Sequence, residues 1–420
     1  MTGDQLNNPP MLEGLRALDL TDEQGFFCGR ILADLGVDVI KIEPPGGDPA
    51  RNVAPFYQDR VGPQTSLYWF ANNANKRGIT LDIKSRDGRD VFKTLVKTAD
   101  FVIESFPIGH MDSLGLDYSA LSEINPKIIM ASITPFGSTG PYKDYKSCEL
   151  VNMAMSGLMK LSGDPDRPPV VISHPHACLH AASQAVTAML AACYWREETG
   201  NGQHVDVSIR ESVIQMIAQP IAHWTVNGVR IRRAGQHRVG WGAGLVRQIW
   251  PCQDGSVIFL LGGGGVRART NKALTAWIDS EGIASDYLKK VNWDTFDMAT
   301  VTEDVIRKLE DDIGKFLIRH TKAELFEEGA RRRVDIYPVN DCRDIAEEGQ
   351  LKERDFWVLL EHPELGINMP YPGPFVKSSE IYAGPRRRAP LIGEHNEDIY
   401  IGELGLSRSE LVALKQGNVI

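Results

Sequence analysis

Residues 15 to 42 constrain the fold more than any other stretch of this chain. Leu15-Arg16-Ala17-Leu18-Asp19-Leu20 is a short apolar run, Gly25 supplies a turn, and Phe26 to Leu35 carries apolar residues at helical spacing. Gly36 ends that helix, and Val37-Asp38-Val39-Ile40-Lys41-Ile42 alternates as a strand does. Strand, helix and strand in so short a span form a βαβ unit, which requires parallel strands and a right-handed crossover.

The same grammar recurs downstream. Ile79 to Ile83 reads as a strand, Arg89 to Thr98 as a helix, and Phe101-Val102-Ile103 as a strand; a helix near Leu121 leads into a strand over Lys127 to Ile133. The expected architecture is a doubly wound α/β sheet that binds ligands at the carboxyl ends of its strands. Two longer helical segments follow, about 150–161 and 177–198. Thr199-Gly200-Asn201 stops the second, and His204 to Ser208 returns to extended structure. From about residue 225 glycine and arginine become frequent and a strand-like run appears at Val257 to Leu261, which predicts a small α+β domain over 225–335. The large domain then takes residues 1–224 and 336–420, and a last helix ends near Gln416, with Ser407 and Glu410 spaced as a capping box.

Composition narrows the function classes. The net charge is −9 over 420 residues, and the only compact basic clusters are Arg386-Arg387-Arg388 and Arg331-Arg332-Arg333, read as solvated loops. Neither supplies the field a nucleic acid or an anionic membrane requires. Met1 to Pro10 is polar and reads as no secretory signal, and the apolar stretch Ala177 to Trp195 contains His180, Ser183 and Gln184, as a buried helix would. Six cysteines without paired short spacings predict free thiols in a reducing, cytoplasmic compartment. His174, His176 and His180 lie close together, but Pro175 interrupts them and no acidic residue accompanies them, so no metal site is expected. Asn75-Lys76-Arg77, just before a strand, suits an anionic ligand, and Gly262-Gly263-Gly264-Gly265 after a strand is either a phosphate-cradling or lid loop or a plain turn.

Further stretches complete a pattern: Leu32-Ala33-Asp34-Leu35-Gly36, Val39 to Pro49, Leu114-Gly115-Leu116-Asp117-Tyr118, Phe136 to Pro141, Thr199 to Val207 and Ala389 to His395. In this order, and across nearly the whole chain, they resemble the class III CoA-transferase family (the formyl-CoA and carnitine CoA-transferase group). The resemblance implies a Rossmann-like large domain, a small domain and an interlocked dimer of ring-like subunits. It also implies a CoA or acyl-CoA substrate near Asn75, Lys76, Arg77, Phe106, Leu114 and Lys146. The family nucleophile is an aspartate that forms a mixed anhydride and then carries CoA as a thioester.

The aligned position here is Cys178, and no Asp or Glu lies between Pro168 and Arg196. A thiol accepts an acyl group but has no carboxyl carbon through which to carry CoA. The chain alone is therefore expected to be inactive. Other departures are Gln24-Gly25-Phe26, one residue short of the family's turn, and Phe106-Pro107-Ile108-Gly109, which lacks an arginine. The leading expectation is the supporting subunit of a heteromeric CoA transferase, of the succinyl-CoA:benzylsuccinate type, whose homologous partner carries the aspartate; a homodimer is the other assembly. The alternatives are an acyl-CoA racemase or epimerase using Cys148 and Cys178 as an acid–base pair, a CoA-binding protein without catalysis, and a transferase whose displaced nucleophile is Glu149.

Overall fold

The computed structural model describes residues 9–239 and 244–420, so residues 1–8 of the segment read for a signal lie outside the described residues. The chain divides into two compact units. The larger comprises residues 1–158, 172–219 and 349–420, and the smaller comprises 159–171 and 220–348. The expected boundaries at 224/225 and 335/336 are thus displaced. Residues 159–171 also join the small unit, where the Arg233 guanidinium donates to the carbonyls of Asp164 and Arg167.

In the larger unit the alternation of sequence becomes β1 (Arg16–Asp19), α1 (Phe26–Asp34), β2 (Asp38–Glu43), α2 (Leu67–Asn73), β3 (Arg77–Thr80), α3 (Arg86–Val96), β4 (Phe101–Glu104), α4 (His110–Ser113), α5 (Tyr118–Ile124) and β5 (Ile129–Thr134). There follow α6 (Glu149–Met155), α8 (Ala177–Thr199), β6 (His204–Ser208) and α9 (Ile209–Gln215), while α7 (Leu158–Leu161), between α6 and α8, falls almost wholly in the smaller unit. The six strands form one sheet in the order β3-β2-β1-β4-β5-β6, every pair parallel. The winding direction reverses between β1 and β4, and there the loops leaving the strands diverge and open a crevice. β3 begins two residues earlier than expected. The single helix expected over 150–161 is two, broken at Gly157, whose φ of +91° suits glycine and no helix interior.

The chain's two ends meet in one core. Leu18, Ile40, Ile79, Phe92, Val102 and Met130 from the sheet region pack with Ile399, Tyr400, Val419 and Ile420. The Tyr400 hydroxyl donates to the Thr80 carbonyl at 2.6 Å and the Asp82 amide to the Val419 carbonyl at 2.7 Å. The last helix, Arg408–Gln416, starts with the expected Ser407–Glu410 capping box.

α8 is long and apolar enough to cross a membrane by composition alone. Its Ala177, Ala181, Ala182, Ala185, Val186 and Met189 are buried, and it packs on α1, β5, β6 and α9. At its far end Tyr194 and Trp195 are 73% and 59% exposed.

The smaller unit has its own core of Trp250, Phe259, Leu274, Trp277 and Phe316. Ile249–Cys252 and Gly255–Ile258 form an antiparallel hairpin extended by Tyr337–Pro338, and helices Gly265–Ser280, Glu303–Leu317 and Lys322–Arg332 accompany it.

Candidate functional site

The crevice at the reversal of the sheet holds a cavity of about 450 Å³, within the range of small-molecule sites. Its walls come from the loops leaving four strands: Leu20 to Glu23 after β1, Glu43 to Ala50 after β2, Leu81 to Lys84 after β3, and Phe106 with His110 after β4. Reciprocal hydrogen bonds tie the first and last of these together. The Asp22 amide donates to Ser105 Oγ at 2.8 Å, and Ser105 Oγ donates to Asp22 Oδ1 at 2.7 Å. Glu104 accepts the Phe106 amide at 2.7 Å, which fixes the ring that packs on His110 at 4.6 Å between centroids.

Charge is distributed unevenly around the cavity. Lys84 is exposed and stands close enough to His110 to hold its imidazole below the usual range, adding to the effect of burial. His110 Nε2 is buried and unpartnered among the described residues. On the other side lie Asp22, Glu23 and Asp48. Burial raises the Glu23 carboxyl, and Asp22 and Asp48 raise it further. Glu43, also in the wall, is neutralised by a buried bidentate pair with Arg51 at 2.6 and 2.7 Å.

The acidic side adjoins the start of α8. Glu149 Oε1 accepts the His176 and Ala177 amides at 2.7 and 2.9 Å, satisfying two of the donors that a helix N-terminus leaves open. Its Oε2 is buried without a partner among the described residues. Cys178 follows on the first turn of the helix. Burial, then the Glu149, Asp22 and Glu23 carboxylates, push its thiol up to about 12. The Tyr68 hydroxyl is raised by burial and by Glu23, Cys178, Asp22 and Asp48 together. Both groups are therefore protonated donors at neutral pH, beside carboxylates.

The residues assigned to CoA by resemblance fare differently. Lys76 is a correction: it is fully buried, and its ammonium donates to Asp19 Oδ2 at 2.7 Å and to Phe26 O and Asn73 Oδ1, both at 2.8 Å. All three donors are used, leaving none for a phosphate. Asn75 is likewise committed, donating to Asp34 and the Gly384 carbonyl and accepting the Arg386 and Arg387 amides. Arg77 pairs with Asp38 and Glu403. These three residues tie the C-terminal segment to the sheet, and Arg386-Arg387-Arg388, expected in a solvated loop, form the other half of that tie. Arg387 donates to the Asn75 carbonyl and Arg388 pairs with Glu364 and Glu394.

Of the remaining assignments, Phe106 lines the cavity, Leu114 packs on the sheet core, and Lys146 is exposed and outside the cavity wall. Cys148 is exposed at the start of α6. Among the described residues no group of His, Cys, Asp or Glu is arranged to hold a metal ion. Gly262 to Gly265 lead into helix Gly265–Ser280 of the smaller unit, where the Asn271 amide holds the Gly262 carbonyl at 2.8 Å. Sequence reading missed Asp22, Glu23, Asp48, Tyr68, Lys84 and His110. Asp22, Glu23 and Lys84 directly follow expected strands, which is the signal that could have found them.

Residues 12–396 match the family described as CoA-transferase family III. The chain is 34% identical to the succinyl-CoA:(R)-benzylsuccinate CoA-transferase subunit BbsE of Thauera aromatica, with 92% of each chain covered. It is 32% identical to a formyl-CoA:oxalate CoA-transferase of Streptomyces avermitilis, over 97% of this chain and 99% of the other. Among solved structures, a CAIB/BAIF family protein from Brucella suis superposes with a TM-score of 0.81 at 28% identity, covering 94% of this chain and 100% of that one.

Proposed function

The chain belongs to CoA-transferase family III, and from that premise we propose that it is the supporting subunit of a heteromeric CoA transferase, paired with a homologous chain that supplies the catalytic aspartate. The observation that carries the reading is Cys178. It occupies the first turn of α8, where the resemblance calls for the aspartate, and its thiol is pushed up to about 12. A protonated thiol is a poor nucleophile, and even as a thiolate it has no carboxyl carbon on which to carry CoA. Glu149, the alternative nucleophile, spends one oxygen on the α8 amides. The same raised thiol counts against the racemase reading, which needs one cysteine ionised.

The cavity at the reversal of the sheet is this chain's own CoA site in this reading. Lys84 is the cation for the phosphates, with Phe106 and His110 as the surface for the nucleotide base. The thioester then points toward Tyr68 and Cys178. By likeness to the relatives, the complex moves CoA from an acyl-CoA such as succinyl-CoA to an organic acid, aromatic or dicarboxylic, such as benzylsuccinate.

Unpartnered apolar surface supports an assembly. Helix Ala218–Asn227 buries none of its residues although it carries Ile221, Trp224 and Val226, whereas an ordinary surface helix buries one stripe. The interlocked arrangement of two ring-like subunits accounts for such a helix. Six free cysteines fit a cytoplasmic setting. The test is to purify the tagged chain from its native host and weigh the intact complex. The reading requires a stoichiometric second chain bearing an aspartate at the Cys178 position, and CoA transfer only when both chains are present. A homodimer active by itself contradicts it.

A further inference from the structure

We propose that the smaller unit carries a second ligand site, a basic pocket that binds an organic anion whose carboxylate or phosphate groups are attached to an apolar body. The pocket is a cavity of about 840 Å³ whose wall holds Lys160, Arg230, Arg232 and Arg233 together with Trp224 and Leu245, a volume suited to a small molecule. All six residues belong to the smaller unit, and the cavity shares no residue with the crevice of the parallel sheet.

The pocket is built from segments distant in sequence, and one guanidinium holds them together. Arg233 donates to the carbonyls of Asp164 at 3.1 Å, Arg167 at 2.7 Å and Lys160 at 3.5 Å, and the Gly235 amide donates to the Gly163 carbonyl at 3.0 Å. Backbone carbonyls satisfy the Arg233 donors without cancelling its charge. On the other side, helix Ala218–Asn227 ends where the Gly228 amide donates to the Trp224 carbonyl at 3.0 Å, with Gly228 at φ +65°. That reversal returns the chain over the helix end, and the Arg230 guanidinium lies 5.0 Å from the centre of the Trp224 ring.

The charge of the wall is uncompensated. Lys160, Arg230 and Arg232 are exposed and make no hydrogen bond or ion pair among the described residues. Nor does any Asp or Glu line the cavity among the described residues. The Asp164 and Glu303 carboxylates of adjoining segments lie instead against Gly235 and Gly244, where an added Cβ would come 2.1 and 2.3 Å from their oxygens. Four cations gathered in one concave wall repel one another, and on a chain of net charge −9 they make a local field of the opposite sign. A bound anion relieves that repulsion. Planar guanidinium groups match carboxylate and phosphate oxygens, while Trp224 and Leu245 give apolar surface to the rest of the ligand.

The test is calorimetric titration of the purified full-length chain with phenylsuccinate, phenyl phosphate and neutral benzamide at pH 7.5 and low salt. An anion is expected to bind where benzamide does not, and the tighter of the two identifies the preferred headgroup as carboxylate or phosphate. Arg230→Gln combined with Arg232→Gln should weaken that binding about tenfold, and Lys160→Gln severalfold, without altering the urea midpoint of unfolding. Arg331→Gln combined with Arg332→Gln removes the same charge from the smaller unit outside the cavity wall and should leave binding unchanged. Added salt should weaken binding by the native chain more than by the Arg230, Arg232 double variant. Failure of both anions to bind, equal losses in the two double variants, or benzamide binding as tightly as the anions overturns the site.

Discussion

Asp19 and Lys76 form an ion pair at 2.7 Å with both side chains fully buried. Asp19 ends β1 and Lys76 precedes β3, and Gly29 of α1 makes room for them. A Cβ at Gly29 would come within 2.3 Å of Asp19 Oδ2 and 3.0 Å of Lys76 Nζ. Burial alone would raise the Asp19 carboxyl, but Lys76 and Lys41 overcome it and hold it below its usual value. The lysine that sequence assigned to a phosphate is therefore part of the frame beneath the crevice.

Lys76→Met strands a buried carboxylate and is expected to cost about 3–5 kcal/mol, measured by urea denaturation, with the double variant Asp19→Asn, Lys76→Met costing less. Because the folded Asp19 carboxyl lies below its unfolded value, its contribution is complete at neutral pH. It is lost as the pH falls below about 4 through the folded value. Equal losses for the single and double variants would contradict the pairing.

Cys178 is expected to resist alkylation. Its thiol, pushed up to about 12, ionises far above an ordinary cysteine, so its labelling by iodoacetamide keeps rising through pH 10 instead of levelling off near 9. Exposed Cys148 should be modified first at pH 7.5. Glu149→Gln removes the largest charge acting on the thiol and should speed Cys178 labelling severalfold, read by peptide mass spectrometry. Glu149→Ala loses the acceptor at the start of α8 as well, and should destabilise the chain by about 1 kcal/mol.

Lys84→Gln should weaken CoA binding about tenfold and flatten its salt dependence, as loss of an exposed phosphate contact does. Lys146→Gln should change neither, since Lys146 lies outside the cavity wall. Both are read by calorimetric titration of the purified full-length chain with CoA at several salt concentrations.

The sheet was legible because its signals are local. Apolar alternation marked the strand at Val37 to Ile42, the strand at Lys127 to Ile133 followed in the repeating strand–helix order, and Gly36 and Gly200 marked helix ends, Gly200 adopting φ +76° after α8. Cys178 was legible through its place between Pro168-Pro169 and Gly202-Gln203. The cavity was not legible, because its wall joins Asp22, Asp48, Lys84 and His110, which only the winding of the sheet brings together. Nor does a sequence show whether a cation is free. Lys76 and Lys84 lie eight positions apart by residue number, yet one is sealed by Asp19, Phe26 and Asn73 while the other is exposed.

In the proposed complex the CoA-carrying carboxylate belongs to the partner and not to this chain. The most direct measurement is to incubate the native complex with acyl-CoA, quench in acid during turnover, and map covalent CoA by peptide mass spectrometry. A CoA thioester is expected on an aspartate of the partner subunit and none on the peptides carrying Glu23, Glu149 or Cys178. A CoA adduct on Glu149 or Glu23 of this chain would contradict it.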